Sequence, residues 1–298
     1  MFGHLQVLSA YSFQNSTILI KDLIQDANAK HIEALALTDK NNMFGALEFS
    51  QECLKYGIKP IFGMEASVMI EGEIYPFILL AKDDIGYFDL VKVCCDINLH
   101  EDKCIDLKSL ALYKGHMYII SGSAQGIVER LVAKEMEEEA VKYLKSFKDI
   151  FQDNYYVMIQ NHHIKLQQAL NERIISLAKY CRVKILCSNE VIYLKKADAL
   201  AVDLMQAANQ GLTLESKYVP ITEEKYLKTE DEMKMLFDAE ILAETREVVQ
   251  NCKATIPLQD KHLPSFPVPH HGEASEYLKG LCQMGLKLLK DFPVLKVL

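Results

Sequence analysis

The segment Ala34 to Gly63, ALALTDKNNMFGALEFSQECLKYGIKPIFG, constrains the fold more than any other stretch of the chain. Ala34 to Thr38 is a short apolar run, the pattern of a strand buried on both faces. TDKNN then supplies a polar turn, Met43 to Tyr56 carries a helical pattern, and Lys59 to Met64 is a second apolar run that ends on Glu65. Strand, helix and strand joined by short loops make one βαβ unit. Ligands gather at the C-terminal ends of parallel strands, so Asp39, Lys40 and Glu65 stand where chemistry is expected. Lys40 has the wrong charge for a metal ligand.

The same alternation runs along most of the chain. Further strand-like runs are His4 to Leu8, Ile61 to Met69 (which continues the second run of the unit), Tyr75 to Ala81, His116 to Ser121, Tyr155 to Ile159 and Lys184 to Ser188. Helical periods lie at Ile18 to Lys30, Gly86 to Cys95, Glu135 to Phe151 and Leu166 to Tyr180. About seven strands interleaved with helices define an α/β fold, either a (β/α) barrel or an open doubly wound sheet. After about Gly211 the pattern changes to helix and coil, with helices expected over Glu230 to Phe237, Ala239 to Cys252 and Ser275 to about Lys290. Pro264, Pro267 and Pro269 stiffen the link Leu263 to Pro269, as expected between modules.

Composition excludes several classes. The chain has 298 residues, half of them hydrophobic, which is enough for a large core. No apolar run approaches the ~20 residues of a membrane span, and the N-terminus lacks the pattern of a signal peptide; a cytoplasmic protein is expected. The eight cysteines form no CxxC pair and several sit in apolar runs, so reduced thiols are expected. A net charge of −8 is wrong for a surface that grips DNA by its phosphates.

Acid and imidazole groups at strand ends are Asp39, Glu65, His162, His163 and Glu190, with Asn189 beside the last. Three or four of these converging would suit a divalent metal. Each has a plainer alternative: Asp39 could cap the following helix, and His162 and His163 could simply bond within a loop. His270 and His271 read as solvent-facing. No glycine-rich phosphate loop, nucleophile elbow or arguable cysteine nucleophile is present.

The ordered segments HLQVLSAYS, ALALTDKNNMFGALEF, GIKPIFGMEASV, FILLAKDDIGYFDLVKV, SNEVIYLKKADA, YLKTEDEM and HLPSFPVP, followed by EYLKGLC, resemble the N-terminal region of the bacterial DNA polymerase III alpha subunits from His4 to about Lys287. The resemblance implies a polymerase and histidinol phosphatase (PHP) domain over residues 1–262, a distorted (β/α)7 TIM-like barrel with its core at about 1–210 and a helical extension at 211–262. It implies that residues 263–298 are a linker and the start of the polymerase palm. The palm's catalytic carboxylates, with their magnesium, would lie beyond this chain, and no residue here is assigned a catalytic role.

In active PHP domains the barrel carries a three-metal centre. Carried over by resemblance, its first His-x-His pair falls on Gln6 and Leu8, a following ligand near Asn15, and the histidine after Thr-Asp on Lys40. Later ligands fall on Glu65, Pro76, His162, Glu190 and Ile192. Glu65 and His162 match outright, Glu190 is a conservative change, and Asp39 survives as a neighbour. Leu, Pro and Ile offer no donor, and losing even outer-shell partners costs ~10–100-fold in metal affinity. The expectation is therefore a degenerate site without a resident metal, in which the Lys40 ammonium stands in for metal charge among Asp39, Glu65 and Glu190. Two functions follow from the resemblance: a catalytically silent scaffold of a replicative polymerase, or a metal-dependent phosphoesterase or 3′–5′ proofreading exonuclease. Expected partners are the palm and thumb of the same chain and a separate proofreading exonuclease, with DNA and the clamp met only through the whole polymerase.

Overall fold

The computed structural model describes residues 1–209, 211–212, 222–256, 266–269 and 272–290. Met1–Ile256 and Pro257–Leu298 are two compact units. In the first, β1 (Gly3–His4) and β2 (Gln6–Val7) lead into α1 (Ile20–Ala29), β3 (Ala34–Leu37), α2 (Ala46–Tyr56) and β4 (Lys59–Ile70). Then come β5 (Glu73–Ala81), α3 (Asp84–Leu99), β6 (Ile105–Asp106), α4 (Leu107–Ala111), β7 (Met117–Ser121), α5 (Ile127–Ala133) and α6 (Glu137–Phe151). The unit ends with β8 (Tyr155–Ile159), α7 (Lys165–Tyr180), β9 (Lys184–Cys187), β10 (Glu190–Val191), α8 (Ala199–Asn209), α9 (Glu230–Leu236) and α10 (Ala239–Asn251).

The main sheet runs β1-β3-β4-β5-β7-β8-β9, with β6 beside β4. Its two edges meet through a second pairing: β10 lies parallel to β2, with Glu190 opposite Gln6 and Val191 opposite Val7. Because β1 continues into β2 and β9 into β10, that pairing curls the sheet into a barrel of seven strand segments. The run from His4 to Leu8, expected as one strand, breaks at Leu5, whose amide bonds to Ser188 Oγ at 3.0 Å instead of to a neighbouring carbonyl. The barrel is not all parallel. β5 runs antiparallel to both β4 and β7, because Glu71 and Gly72, at φ 51° and 87°, form a two-residue turn of the kind that closes a hairpin.

Alternation along the strands sorts the core into two layers. Leu5, Ala34, Ala36, Ile61, Ile78, Leu80, Tyr118, Ile120, Tyr156, Met158 and Leu186 form one cluster, which fills the barrel. The intervening residues pack outward under the helices, as Leu35 and Leu37 do with Phe49 and Cys53 of α2. Val248, Val249 and Cys252 join the inner cluster, and Lys59, at the start of β4, donates to the Val249 carbonyl at 2.7 Å. α10 thus plugs the N-terminal end of the barrel, and the C-terminal end is left to polar groups.

Local signals explain most boundaries. Asp83 caps α3 by accepting from the Gly86 amide at 3.0 Å, and Thr229 and Glu232 form a reciprocal capping box on α9. α2 starts at Ala46, later than expected, and ends at Gly57 in the left-handed region, φ 67°. α4, α5 and α8 were not expected: the first two are too short to show a period, and α8 is apolar on most sides. In the second unit α11 (Ala274–Lys290) exposes Leu278, Leu281, Met284 and Leu288. Residues 263–265 of the proline link, with His270 and His271, lie outside the described residues. Among the described residues no helix is long and apolar enough to cross a membrane, and the eight cysteines are unpaired, with Cys95 and Cys282 exposed.

Candidate functional site

The alternation that fills the barrel also selects what faces its C-terminal end. Two residues beyond Ala36 is Thr38, and two further is Lys40; the same step takes Ile61 through Gly63 to Glu65, Met158 to Gln160, and Leu186 through Ser188 to Glu190. Gly63 is required where it stands, because a Cβ there would lie 2.5 Å from the Leu79 carbonyl oxygen and 2.9 Å from Thr38 Cγ2. The β3–β4 ladder continues beyond β3 itself: Glu65 N donates to Asp39 O at 3.1 Å, Asn41 N to Glu65 O at 2.9 Å, and Lys40 bridges to Glu65. Lys40 and Glu65 are thereby paired by backbone register.

Lys40 Nζ lies 3.5 Å from Glu65 Oε1 and donates to Asn15 Oδ1 at 3.1 Å. Its side chain is 39% exposed, so this ammonium sits at the mouth of the site, neither buried nor free. The other Glu65 oxygen accepts from Gln6 Nε2 at 2.9 Å, and Gln6 Oε1 accepts from Gln160 Nε2 at 2.7 Å. Where the resemblance places a ligand histidine, Gln6 thus supplies an amide that bridges two strands. Burial pushes the Glu65 carboxyl above the usual range, with the Glu190 charge adding to it, and Lys40 and Gln6 only partly offset this.

Glu190 has a different cation. Lys225 Nζ lies 2.6 Å from Glu190 Oε2. Burial would raise this carboxyl too, but Lys225, aided by Lys40 and His162, holds it below the ordinary value. Lys225 belongs to a strap over residues 222–229. Asn189 Nδ2 donates to the carbonyls of Glu224 and Tyr226 at 2.9 and 2.8 Å, His4 Nε2 meets the Lys228 carbonyl at 2.8 Å, and Lys30 Nζ donates to the Leu227 carbonyl at 2.8 Å. Lys228, 2% exposed, pairs with Glu224 at 3.1 Å and lies 4.2 Å from the centre of the Tyr226 ring.

His162 is buried, and burial together with Lys225 lowers its pKa to about 4. Both ring nitrogens are engaged. Asn189 spends its amide protons on the strap, so Asn189 Oδ1 accepts from His162 Nε2 at 3.2 Å, while Nδ1 faces Gln167 Nε2 at 3.3 Å. A metal on His162 would have to displace one of these partners. His163, at φ 57°, points its Nε2 to within 3.9 Å of Glu224.

Asp39 corrects the expectation that it shares the Lys40 cluster. Strand alternation turns it to the opposite side from Lys40, where Oδ1 accepts from the Ser9 amide at 2.7 Å and Ser12 Oγ at 2.6 Å, and Oδ2 from Ser9 Oγ at 2.7 Å. Nor does it cap α2, whose N-cap is Gly45. Burial raises its carboxyl despite these bonds. Its role is to tie the loop after β2 to the end of β3.

The residues do not fit a three-metal centre. Leu8, Pro76 and Ile192 bring no donor to the positions they occupy, both remaining glutamates are engaged by ammonium groups, and both nitrogens of His162 have partners. Sequence reasoning named Glu65, His162, Glu190 and Lys40, which the fold sets at the C-terminal end, but missed Lys225 and the joining role of Gln160. Only the resemblance of YLKTEDEM pointed toward the strap, without assigning Lys225 a partner.

The sequence model of the PHP domain family matches residues 4–162. That is more than half of the chain, which belongs to the PHP domain family. Among curated proteins it is 31% identical to the DNA polymerase III subunit alpha of Bacillus subtilis over 96% of this chain and 26% of that protein. It is 32% identical to the same subunit of Borreliella burgdorferi, over 96% of this chain and 27% of that protein. The chain thus spans about a quarter of the length of these relatives. A Bacteroides vulgatus structure described as a two-domain protein with a predicted PHP-like metal-dependent phosphoesterase superposes with a TM-score of 0.44 at 11% identity, covering 84% of this chain and 62% of that one. At that distance the superposition adds nothing to the assignment, which rests on the family match.

Proposed function

We propose that this chain is the PHP module of a bacterial replicative DNA polymerase and that its barrel serves as structure, with no chemistry of its own. The observation that carries the reading is the pair of ammonium–carboxylate contacts at the C-terminal end, Lys225 to Glu190 at 2.6 Å and Lys40 to Glu65 at 3.5 Å. Two lysines supply there the positive charge that neighbouring carboxylates require. Nucleotidyl transfer, with magnesium on palm carboxylates, belongs in this reading to the rest of the polymerase, and the palm, the thumb and a separate proofreading exonuclease are the partners the module would pack against. The expected result is no hydrolysis of a generic phosphate monoester or of a 3′-labelled oligonucleotide, with manganese or zinc supplied. Hydrolysis abolished both by chelator and by Glu65→Ala would overturn the reading in favour of a phosphoesterase or 3′–5′ exonuclease. One observation favours that second reading: His162 is neutral, the protonation state a metal ligand needs.

A further inference from the structure

A second group of metal-ligating side chains lies outside the barrel site. An imidazole nitrogen of His100, a carboxylate oxygen of Asp102 and Cys104 Sγ all lie within 4.8 Å of one another. The three alternate along the loop that joins α3 to β6, and a residue at φ 52°, Lys103, gives that loop its turn. We propose that His100, Asp102 and Cys104 form a binding site for one zinc ion.

The donor set selects the metal. One nitrogen, one carboxylate oxygen and one sulfur suit zinc, which takes all three in tetrahedral sites, whereas calcium and magnesium require oxygen. A 4.8 Å upper limit between donors exceeds tetrahedral spacing by about one side-chain adjustment, since bonds of roughly 2.0–2.3 Å place donors about 3.3–3.8 Å apart. A water molecule would complete the tetrahedron. Binding converts the Cys104 thiol to thiolate and releases its proton to solvent, so zinc affinity falls as pH falls.

The loop is held ready for this. Asn41 Nδ2 donates to the Lys103 carbonyl at 3.3 Å, and Asn98 Nδ2 donates to the Asn41 carbonyl at 2.8 Å. The lysine between Asp102 and Cys104 in sequence is engaged elsewhere: Lys103 Nζ donates to the Asn98 carbonyl at 2.6 Å, where the C-terminal end of α3 favours positive charge. Cys104 is 2% exposed while His100 and Asp102 are exposed, so the thiol anchors the site and the other two close it from outside. Because Asn41 follows Lys40 directly, bound zinc would stiffen the rim beside the barrel site without entering it.

The test is titration of the 298-residue chain with cobalt(II), then competition by zinc. Expected are saturation at equimolar metal and a thiolate-to-cobalt charge-transfer band in the near ultraviolet, bleached by zinc. Cys104→Ser should abolish the band, and His100→Ala, which keeps the thiolate, should weaken cobalt and zinc binding at least by the ~10–100-fold that loss of an outer-shell partner costs. Cys95→Ser and the double variant Glu65→Gln/Glu190→Gln should leave the band unchanged. His100 is exposed, so its variant remains informative if Cys104→Ser fails to fold. Absence of the band, an unchanged metal affinity in His100→Ala, or loss of the band in Cys95→Ser would overturn the proposal.

Discussion

The two halves of one barrel interior are built on the same strands by the same alternation, yet they are held by different forces. The N-terminal half is closed by Ile61, Ile120, Tyr156, Leu186 and the α10 residues Val248 and Val249, all apolar or aromatic. The C-terminal half contains Gln6, Lys40, Glu65, Gln160 and Glu190, and Lys225 reaches in from the strap. Apolar packing is supplied by the strands together with α10. Buried carboxylates need compensation, and here it comes from loop positions remote in sequence. Glu129 marks the limit of that comparison: it is 5% exposed, Ser121 Oγ donates to one of its oxygens at 2.6 Å, and the other oxygen has no partner among the described residues. Burial pushes its pKa up to about 7, while Glu190 with Lys225 beside it stays below normal.

The largest effect is expected at the apolar end. Ile120 is fully buried, and Ile120→Ala should cost about 2–5 kcal/mol in urea unfolding, by a similar amount at pH 5 and pH 8. A loss that depended strongly on pH would mean that the two halves are coupled.

Next in size is Glu129. Its folded pKa of about 7 lies above the ordinary 4.5, so the folded chain binds the extra proton, and stability is full below pH 4.5 and falls as pH rises toward 7. Glu129→Gln should remove this slope and gain on the order of 3 kcal/mol at pH 8 relative to the parent. An equal slope in both proteins would place the titration elsewhere.

Lys225→Met tests the polar end directly. It leaves Glu190 without its 2.6 Å partner and should cost about 1–2 kcal/mol at pH 7, less than a fully buried pair because both side chains keep some exposure. The Glu190 carboxyl is held low in the fold, so this contribution is present above about pH 4.5 and disappears as pH falls through its depressed value. Adding Glu190→Gln should restore much of the loss. Lys40→Met is expected to cost below about 1 kcal/mol, since that ammonium is more exposed and 3.5 Å from its partner. A greater loss for Lys40→Met than for Lys225→Met would reverse the assignment of the main cation.

Much of the fold was legible because the strands are continuous apolar runs, and the pairing of Lys40 with Glu65 follows from the register of adjacent parallel strands. The fate of Asp39 was also in the pattern: Thr38 and Lys40 share a face of the chain, and Asp39 lies on the other. Lys225 could not be read that way. It lies in a polar stretch with no period, and its contact with Glu190 arises from tertiary folding, through the carbonyls that Asn189 holds. Nor does periodicity show that Ala239–Asn251 plugs the barrel, since an amphipathic helix can bury its face against any apolar surface.

The most direct measurement is anomalous scattering from crystals grown with manganese or zinc. Expected are Lys225 Nζ beside Glu190 and Lys40 Nζ beside Glu65, with no anomalous peak among Glu65, His162 and Glu190. A peak within about 2.0–2.2 Å of Glu65 and His162, with either lysine displaced, would contradict the view that protein cations hold this site.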